Sequence, residues 1–236
     1  MEISETIALG MLWYVAFLLS TTCHEAAHAL AAKWGGDLTA YSVGQVSLNP
    51  APHMQREPFG MILVPLLTFM FSGWMMGWAS APYDPYWARR HPRRSGWMAL
   101  AGPAANFVLV VVSALIIQVC LRTGVFQLPG ALGISRLVEA SGGMAGGFAT
   151  FFSILFSLNL ILATFNLLPF PPLDGFGAIN VLVPESAAQK LMDWRDQMGP
   201  YQMIGLLIAW KVFDSLFSPI FLVALHILYP GEVFGR

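Results

Sequence analysis

Five apolar runs dominate the sequence, and each is long enough to cross a lipid bilayer. They lie near residues 7–33, 59–80, 97–121, 147–168 and 203–229. Because a helix needs about 20 residues to cross the hydrocarbon core, all five are candidate membrane segments. They predict an all-α polytopic membrane protein with about four to six transmembrane or re-entrant helices.

The composition agrees with a membrane protein. Of the 236 residues, 56% are hydrophobic and only 11% are charged, whereas a soluble domain carries about 25% charged residues. The net charge of -1 gives no reason to expect a nucleic-acid partner. We expect one membrane-embedded domain over residues 1–236. Its core covers 7–182, and an interfacial helix and a last transmembrane helix follow within 185–229.

The first apolar run contains ionisable residues at membrane depth, in the H-E-x-x-H pattern of His24, Glu25 and His28. Residues four apart share one face of a helix, so both imidazoles can reach one metal ion. Glu25 projects beside that face, where it can contact a metal-bound water without ligating. The alternative is two histidines satisfied by interhelical hydrogen bonds, or a haem-type pair. Ionisable groups in lipid are costly and usually mark a functional site.

A catalytic zinc takes three protein ligands and leaves one position open. Asp174 is the best-placed third ligand, because it follows the fourth apolar run in a segment with prolines at 169, 171 and 172. The prolines prevent the helix from continuing. Such unwound backbone is tolerated at membrane depth only where protein or a cavity buries it. Taken alone, Asp174 could equally cap an ordinary turn.

These motifs resemble those of the site-2 protease family of intramembrane zinc metalloproteases. The H-E-x-x-H matches its first motif, and Asn166 to Gly175 matches N-x-x-P-x-P-x-L-D-G at every fixed position. Residues 102–106 are similar to the family's G-P-x-x-N. Phe176 departs from the pattern, since many members have a second glycine there. The stretches 48–50 and 77–79 look like the compact subgroup that lacks PDZ and CBS domains.

The resemblance implies Zn²⁺ as cofactor, a transmembrane protein as substrate, and a site that opens toward the cytoplasm. We expect one zinc per chain, held by His24, His28 and Asp174, with Glu25 as the general base. Asn166, near the proline bend, is a candidate for binding the substrate backbone or supporting the oxyanion. Asn106 is a weaker candidate for substrate binding, and a helix-packing role is as good an interpretation.

Topology follows from the need for the three ligands to meet. Both motifs lie toward the C-terminal ends of their helices, so those two helices should run in the same direction. This requires the run 59–80 not to be a simple crossing but a broken, re-entrant or hairpin segment. The distribution of Lys and Arg then places eight basic residues on one side and two on the other. By the positive-inside rule the site lies near the cytoplasmic face, in what we expect to be a prokaryotic plasma membrane.

Residues 39–48 include several β-branched residues, and apolar and polar residues partly alternate along them. This pattern predicts a strand or short hairpin after the first helix. Such an edge could accept an unwound substrate as an added strand, although a purely structural hairpin fits equally well. Lys211 and Asp214 interrupt the last apolar run and could pair on one helix face.

Two other classes of protein are compatible with parts of the pattern. A metal transporter would need several sets of ligands stacked through the membrane, and the sequence has one. A non-catalytic relative that binds membrane segments would be expected to lack Glu25 or a ligand, yet all four residues are present. We therefore predict regulated intramembrane proteolysis by a zinc metalloendopeptidase.

Overall fold

A computed structural model describes residues 3–230 of the chain, and its architecture is almost entirely helical. The α-helices are α1 (Ile3–Gly35), α2 (Thr39–Ser42), α3 (Pro50–Arg56), α4 (Val64–Ser72), α5 (Pro85–Arg90), α6 (Pro92–Arg122), α7 (Gly143–Asn166), α8 (Asp174–Leu182), α9 (Glu185–Met198) and α10 (Gln202–Leu228). A π-helical turn, Phe59–Leu63, precedes α4, and a 3₁₀ turn, Gly199–Tyr201, joins α9 to α10. Four segments of the described residues are long and apolar enough to cross a membrane: α1, α6, α7 and the α9–α10 stretch.

Three of these helices, α1, α6 and α7, form the centre of the fold. Along α1, His28 meets Met98 and His24 meets Asn106, so α6 runs antiparallel to α1. Asn106 also contacts Asn159 on α7, and α7 runs antiparallel to α6. Helices α1 and α7 therefore point the same way, as the meeting of the two sequence motifs requires.

The apolar run 59–80 folds back on itself instead of continuing as one helix. Its two helical parts contain 5 and 9 residues, which is about 21 Å of helix against the roughly 30 Å of a hydrocarbon core. After Gly73 the chain returns, and Trp78 N–H donates to Gly60 O at 3.1 Å. Arg56 Nε donates to Ser80 O at 3.0 Å, which joins the two ends of the segment. The predicted hairpin is confirmed.

Glycine allows the two arms of this hairpin to touch. A Cβ atom at Gly60 would collide with the backbone oxygen of Trp78, and one at Gly77 with the backbone oxygen of Gly60. Such close backbone approach is what glycine permits and every other residue prevents.

The strand or hairpin predicted over residues 39–48 is wrong. Thr39–Ser42 form a helical turn, α2, and the following residues form turns and bends. Local hydrogen bonds outcompete strand pairing here: the Asp37 carboxylate accepts from both the backbone and the hydroxyl of Thr39, and no neighbouring strand among the described residues is available to pair. Val46, Ser47 and Leu48 instead form one wall of an apolar groove of about 460 Å³ beside α1 and α6.

The last long helix, α10, supports the proline segment that follows α7. Leu168 and Leu173 of that segment pack with Ala209 of α10 in one small apolar cluster. Gly205 lies so close to Pro171 O that a Cβ atom there would overlap the oxygen. The position of the proline segment therefore depends on a small residue at 205.

We expect Gly205→Ala to lower the unfolding temperature of the purified protein in detergent. The added methyl group overpacks a contact with backbone, which costs about 1–3 kcal/mol. Gly147→Ala in α7 is the matched control, because no atom lies within 4 Å of a Cβ built there. The control should be neutral or stabilising, since alanine favours a helix over glycine by about 1 kcal/mol. Equal unfolding temperatures for the two variants would contradict the close packing of α10.

Candidate metal centre

The site begins with two histidines one helical turn apart on α1. His24 and His28 are both buried, and their Nε2 atoms lie 3.0 Å from each other. The i, i+4 spacing places the rings on one face of the helix, as the sequence predicts. That face is turned toward α6 and the start of α8.

The third side chain of the site is that of Asp174, which lies 150 residues after His24 in the chain. Helix α7 ends at Asn166, the proline segment turns, and Asp174 opens α8. Its Oδ2 atom lies 3.1 Å from His24 Nε2 and 3.3 Å from His28 Nε2. Gly175 is required next to it, because a Cβ atom there would collide with the backbone of Leu167 and Leu168. The D-G pair thus reflects a close return of the chain onto the end of α7.

The three atoms form a nearly equilateral triangle with edges of 3.0, 3.1 and 3.3 Å. A tetrahedral zinc with bonds of about 2.0–2.2 Å separates its ligand atoms by about 3.3 Å. The residues present therefore fit a zinc ion with three protein ligands and one open position.

The second nitrogen of each imidazole is fixed by a neighbour on α6. His24 Nδ1 donates to Asn106 Oδ1 at 2.5 Å, and His28 Nδ1 donates to Met98 O at 2.7 Å. With the protons on Nδ1, both Nε2 atoms present lone pairs to the triangle. Two lone pairs and a carboxylate oxygen facing one another repel unless a cation lies between them. The arrangement can therefore accept a metal ion.

A buried amide network extends this support to α7. Asn106 Nδ2 donates to Asn159 Oδ1 at 2.7 Å, and Asn159 Nδ2 donates to Ser20 Oγ at 2.8 Å. All three residues are fully buried. Because Asn106 is held from its amide end, its oxygen must face His24, which fixes the tautomer of that ring.

Gly102 on α6 makes room for the imidazoles. A Cβ atom at this position would overlap the Nε2 atoms of both His24 and His28. The glycine of the G-P-x-x-N stretch therefore has a steric role at the site, and the asparagine of the same stretch has an electrostatic one.

Glu25 lies close to the two imidazoles of the triangle. One potential ligand atom of each of Glu25, His24 and His28 lies within 4.8 Å of the other two. No hydrogen bond or ion pair of Glu25 is found among the described residues. A buried carboxylate this close to both imidazoles can reach a water molecule held between them.

The two asparagines singled out from the sequence have different positions. Asn106 is fully buried, and both ends of its carboxamide bind protein groups. Asn166 is half-buried at the end of α7, where its Nδ2 donates to Leu162 O at 3.1 Å. Asn106 therefore contacts a predicted ligand, whereas Asn166 contacts its own helix.

Sequence reasoning missed Met98 and Asn159. Met98 acts through its backbone carbonyl, which no side-chain pattern can reveal. Asn159 is one polar residue in the apolar run 147–168, and its depth in the membrane was a usable signal. Two other histidines lie outside the triangle: the imidazole of His53 binds Ser47 O and that of His226 binds Leu222 O.

Comparison with known proteins agrees with this geometry. The chain is 36% identical over 225 residues to "Putative zinc metalloprotease YwhC" of Bacillus subtilis (strain 168), covering 87% of this chain and 92% of that protein. It is 28% identical over 206 residues to "Putative zinc metalloprotease Rip2" of Mycolicibacterium smegmatis (strain ATCC 700084 / mc(2)155), covering 86% of this chain and 68% of that one. No solved structure matches the chain significantly. Residues 12–210 match peptidase family M50, a span that includes both motifs. The chain belongs to peptidase family M50, the site-2 protease family of zinc metalloproteases.

Proposed function

We propose that this zinc metalloprotease hydrolyses a peptide bond within or near the transmembrane segment of a membrane-protein substrate. Zinc is held by His24, His28 and Asp174, and Glu25 is the general base. The observation that carries the proposal is the triangle of ligand atoms, whose edges of 3.0–3.3 Å suit one tetrahedral metal ion. Its burial among helices that are long and apolar enough to span a membrane supports a substrate drawn from the bilayer.

The proposed ligand set is complete without help from cysteine. Cys23 and Cys120 are free thiols, and among the described residues no Cys-based cluster is found. One ion per chain therefore follows from the single triangle. The unused fourth position is the feature that separates a catalytic zinc site from a closed structural one.

When bound in such a site, zinc supplies Lewis acidity that activates water and polarises a scissile carbonyl. The Glu25 carboxylate accepts a proton from the attacking water and delivers it to the amine of the leaving group. Its freedom from other hydrogen bonds leaves both oxygens available for this transfer. The buried surroundings strengthen each electrostatic contact.

We assign Asn106 to positioning His24. Asn166 is the residue that we propose to contact the substrate. The Asn106 carboxamide has no free end, because it binds His24, Asn159 and Ser20 O. Asn166 is only half-buried and has donor and acceptor capacity left. It can therefore bind the backbone of a substrate that has been unwound to expose the bond to be cleaved.

The site is proposed to lie near the cytoplasmic face of a prokaryotic plasma membrane, in one domain used for regulated intramembrane proteolysis. One end of the bundle carries the C-terminus of α1, the N-terminus of α6 and the ends of the hairpin 59–80. Arg94 donates to Gly35 O, and Arg89 pairs with Asp193 and Asp196 of α9 at this end. The basic residues of this end are Lys33, Arg56, Arg89, Arg90, Arg93, Arg94, Lys190 and Arg195; those of the other are Arg122 and Arg136. This bias is the positive-inside pattern.

Zinc content tests the ligand set. Wild-type protein should contain about one zinc per chain, whereas Asp174→Ala and His28→Ala should bind zinc at least 100-fold more weakly. Loss of a supporting residue around a metal ligand alone costs about 10–100-fold. His226→Ala is the matched histidine control and should retain the metal. Metal analysis after dialysis against a weak chelator gives the result, and equal zinc in wild type and Asp174→Ala would remove Asp174 from the site.

Glu25→Gln tests the general base separately from the metal. The variant should fold and keep its zinc but cleave a model transmembrane substrate about 10²–10⁴-fold more slowly, because an amide cannot accept the proton. Cleavage in liposomes and zinc content should be measured on the same preparation. Undiminished proteolysis would refute the assigned role, whatever the zinc content.

Cysteine labelling in intact cells tests the orientation. In a background with Cys23 and Cys120 replaced, cysteines at Gln55 and Arg93 should be protected from an impermeant thiol reagent, and a cysteine at Ser141 should react. All three positions are exposed, so each should react after lysis. The proposed orientation has both ends of 59–80 on the cytoplasmic side, and opposite results at positions 55 and 93 would show that this segment crosses the membrane.

A further inference from the structure

One face of α10 forms an exposed stripe that turns away from the rest of the protein. We call it the α10 outer stripe; its members are exposed and consist of Ile204, Leu207, Lys211, Asp214, Ser218 and Leu222. The spacing of three and four residues repeats as in the seam of a coiled coil. The opposite face packs on the proline segment through the buried residues Gly205 and Ala209.

The stripe carries two charges at membrane depth. Lys211 and Asp214 lie about 14 and 18 Å along the axis from Gln202, at 1.5 Å per residue. A helix of 27 residues is about 40 Å long, so both positions fall within a hydrocarbon core of about 30 Å. Within the part of the chain that the structure describes, neither side chain has an ion-pair partner, and the expected pairing of the two with each other is not formed.

Charged groups inside a membrane are costly and nearly always find a partner or a water-filled cavity. Here they face outward, on the opposite side of α10 from the site. The partner must therefore come from outside this chain. It must also offer an anion near the depth of Lys211 and a cation near the depth of Asp214. These two depths differ by about one helical turn.

We infer that the partner is a second copy of this chain, packed in parallel through the α10 outer stripe about a two-fold axis. In a two-fold interface the same patch meets itself, so Lys211 of one copy faces Asp214 of the other, and the reverse. Two copies have the same topology, which places Lys211 of one within about 4.5 Å in depth of Asp214 of the other, a span that a lysine side chain can bridge. The two lysines and two aspartates then alternate around the axis, and their charges cancel.

The remaining residues of the stripe suit close helix packing. Leu207 and Ile204 supply apolar contacts on one side of the charges, and Ser218 is small on the other side. Its hydroxyl already donates to Asp214 O at 2.8 Å, so it brings no unsatisfied donor into the interface. Small residues at such positions let transmembrane helices approach. The other face of α10 stays on the proline segment, so the dimer does not disturb the metal centre.

Cysteine cross-linking of the full chain in liposomes tests the interface. With Cys23 and Cys120 replaced, Ser218→Cys should form a covalent dimer on treatment with a copper-free oxidant. Ile220→Cys is the control, because Ile220 is exposed on the opposite side of the helix and should not cross-link. Equal cross-linking at positions 218 and 220 would overturn the proposal.

Charge exchange tests the partner. In the Ser218→Cys background, Lys211→Asp and Asp214→Lys should each lower the yield of dimer about tenfold, a change within the range of interhelical polar contacts. The double variant Lys211→Asp/Asp214→Lys should restore it, because the alternating charges are re-formed with opposite signs. Failure of the double variant to recover cross-linking would exclude the reciprocal pairing. Since the readout is association, it is independent of the proposed proteolysis.

Discussion

The mutual approach of three electron-pair donors, two imidazole nitrogens and a carboxylate oxygen, determines much of the rest of this structure. Such groups repel at 3.0–3.3 Å, and each would be costly to bury without a partner. The surrounding helices hold them in place, and a cation bound between them would satisfy all three at once. The fold can be understood as the means by which apolar helices bring these polar atoms to one point.

That convergence requires unusually close contact between helices and loops, which glycine makes possible at specific places. Gly102 gives the imidazoles space against α6, Gly175 lets the chain return onto the end of α7, and Gly205 lets α10 support the proline segment. In a membrane, helix association depends on packing and on polar contacts, since lipid is as apolar as the helices. The buried amides of Asn106 and Asn159 add the polar part, and they also hold His24 in one tautomer.

The sequence predicts the parts of the site that arise from short, periodic patterns. The spacing of His24 and His28 and the prolines before Asp174 were sufficient to expect these three side chains to meet. The need for α1 and α7 to run in the same direction was sufficient to expect the hairpin 59–80. The prediction failed where neighbours decide the outcome. Residues 39–48 have strand-like composition but no strand to pair with, and Asp37 draws them into turns. Met98 contributes through a backbone carbonyl, and this contribution depends entirely on how α6 packs.

Helix α10 shows how one element can serve two purposes in a bilayer. Its inner face is built from small and aromatic residues that hold the proline segment, and through it Asp174. Its outer face is mostly apolar, as lipid demands, apart from Lys211 and Asp214. Charges placed only to anchor α10 on the core would lie on the inner face, and charges placed at an interface with water would lie near the helix ends. Lys211 and Asp214 lie deep in the helix and face outward, so neither anchoring on the core nor contact with water explains them. Contact with another membrane helix does. Support of the proline segment and the proposed association thus use opposite sides of the same helix.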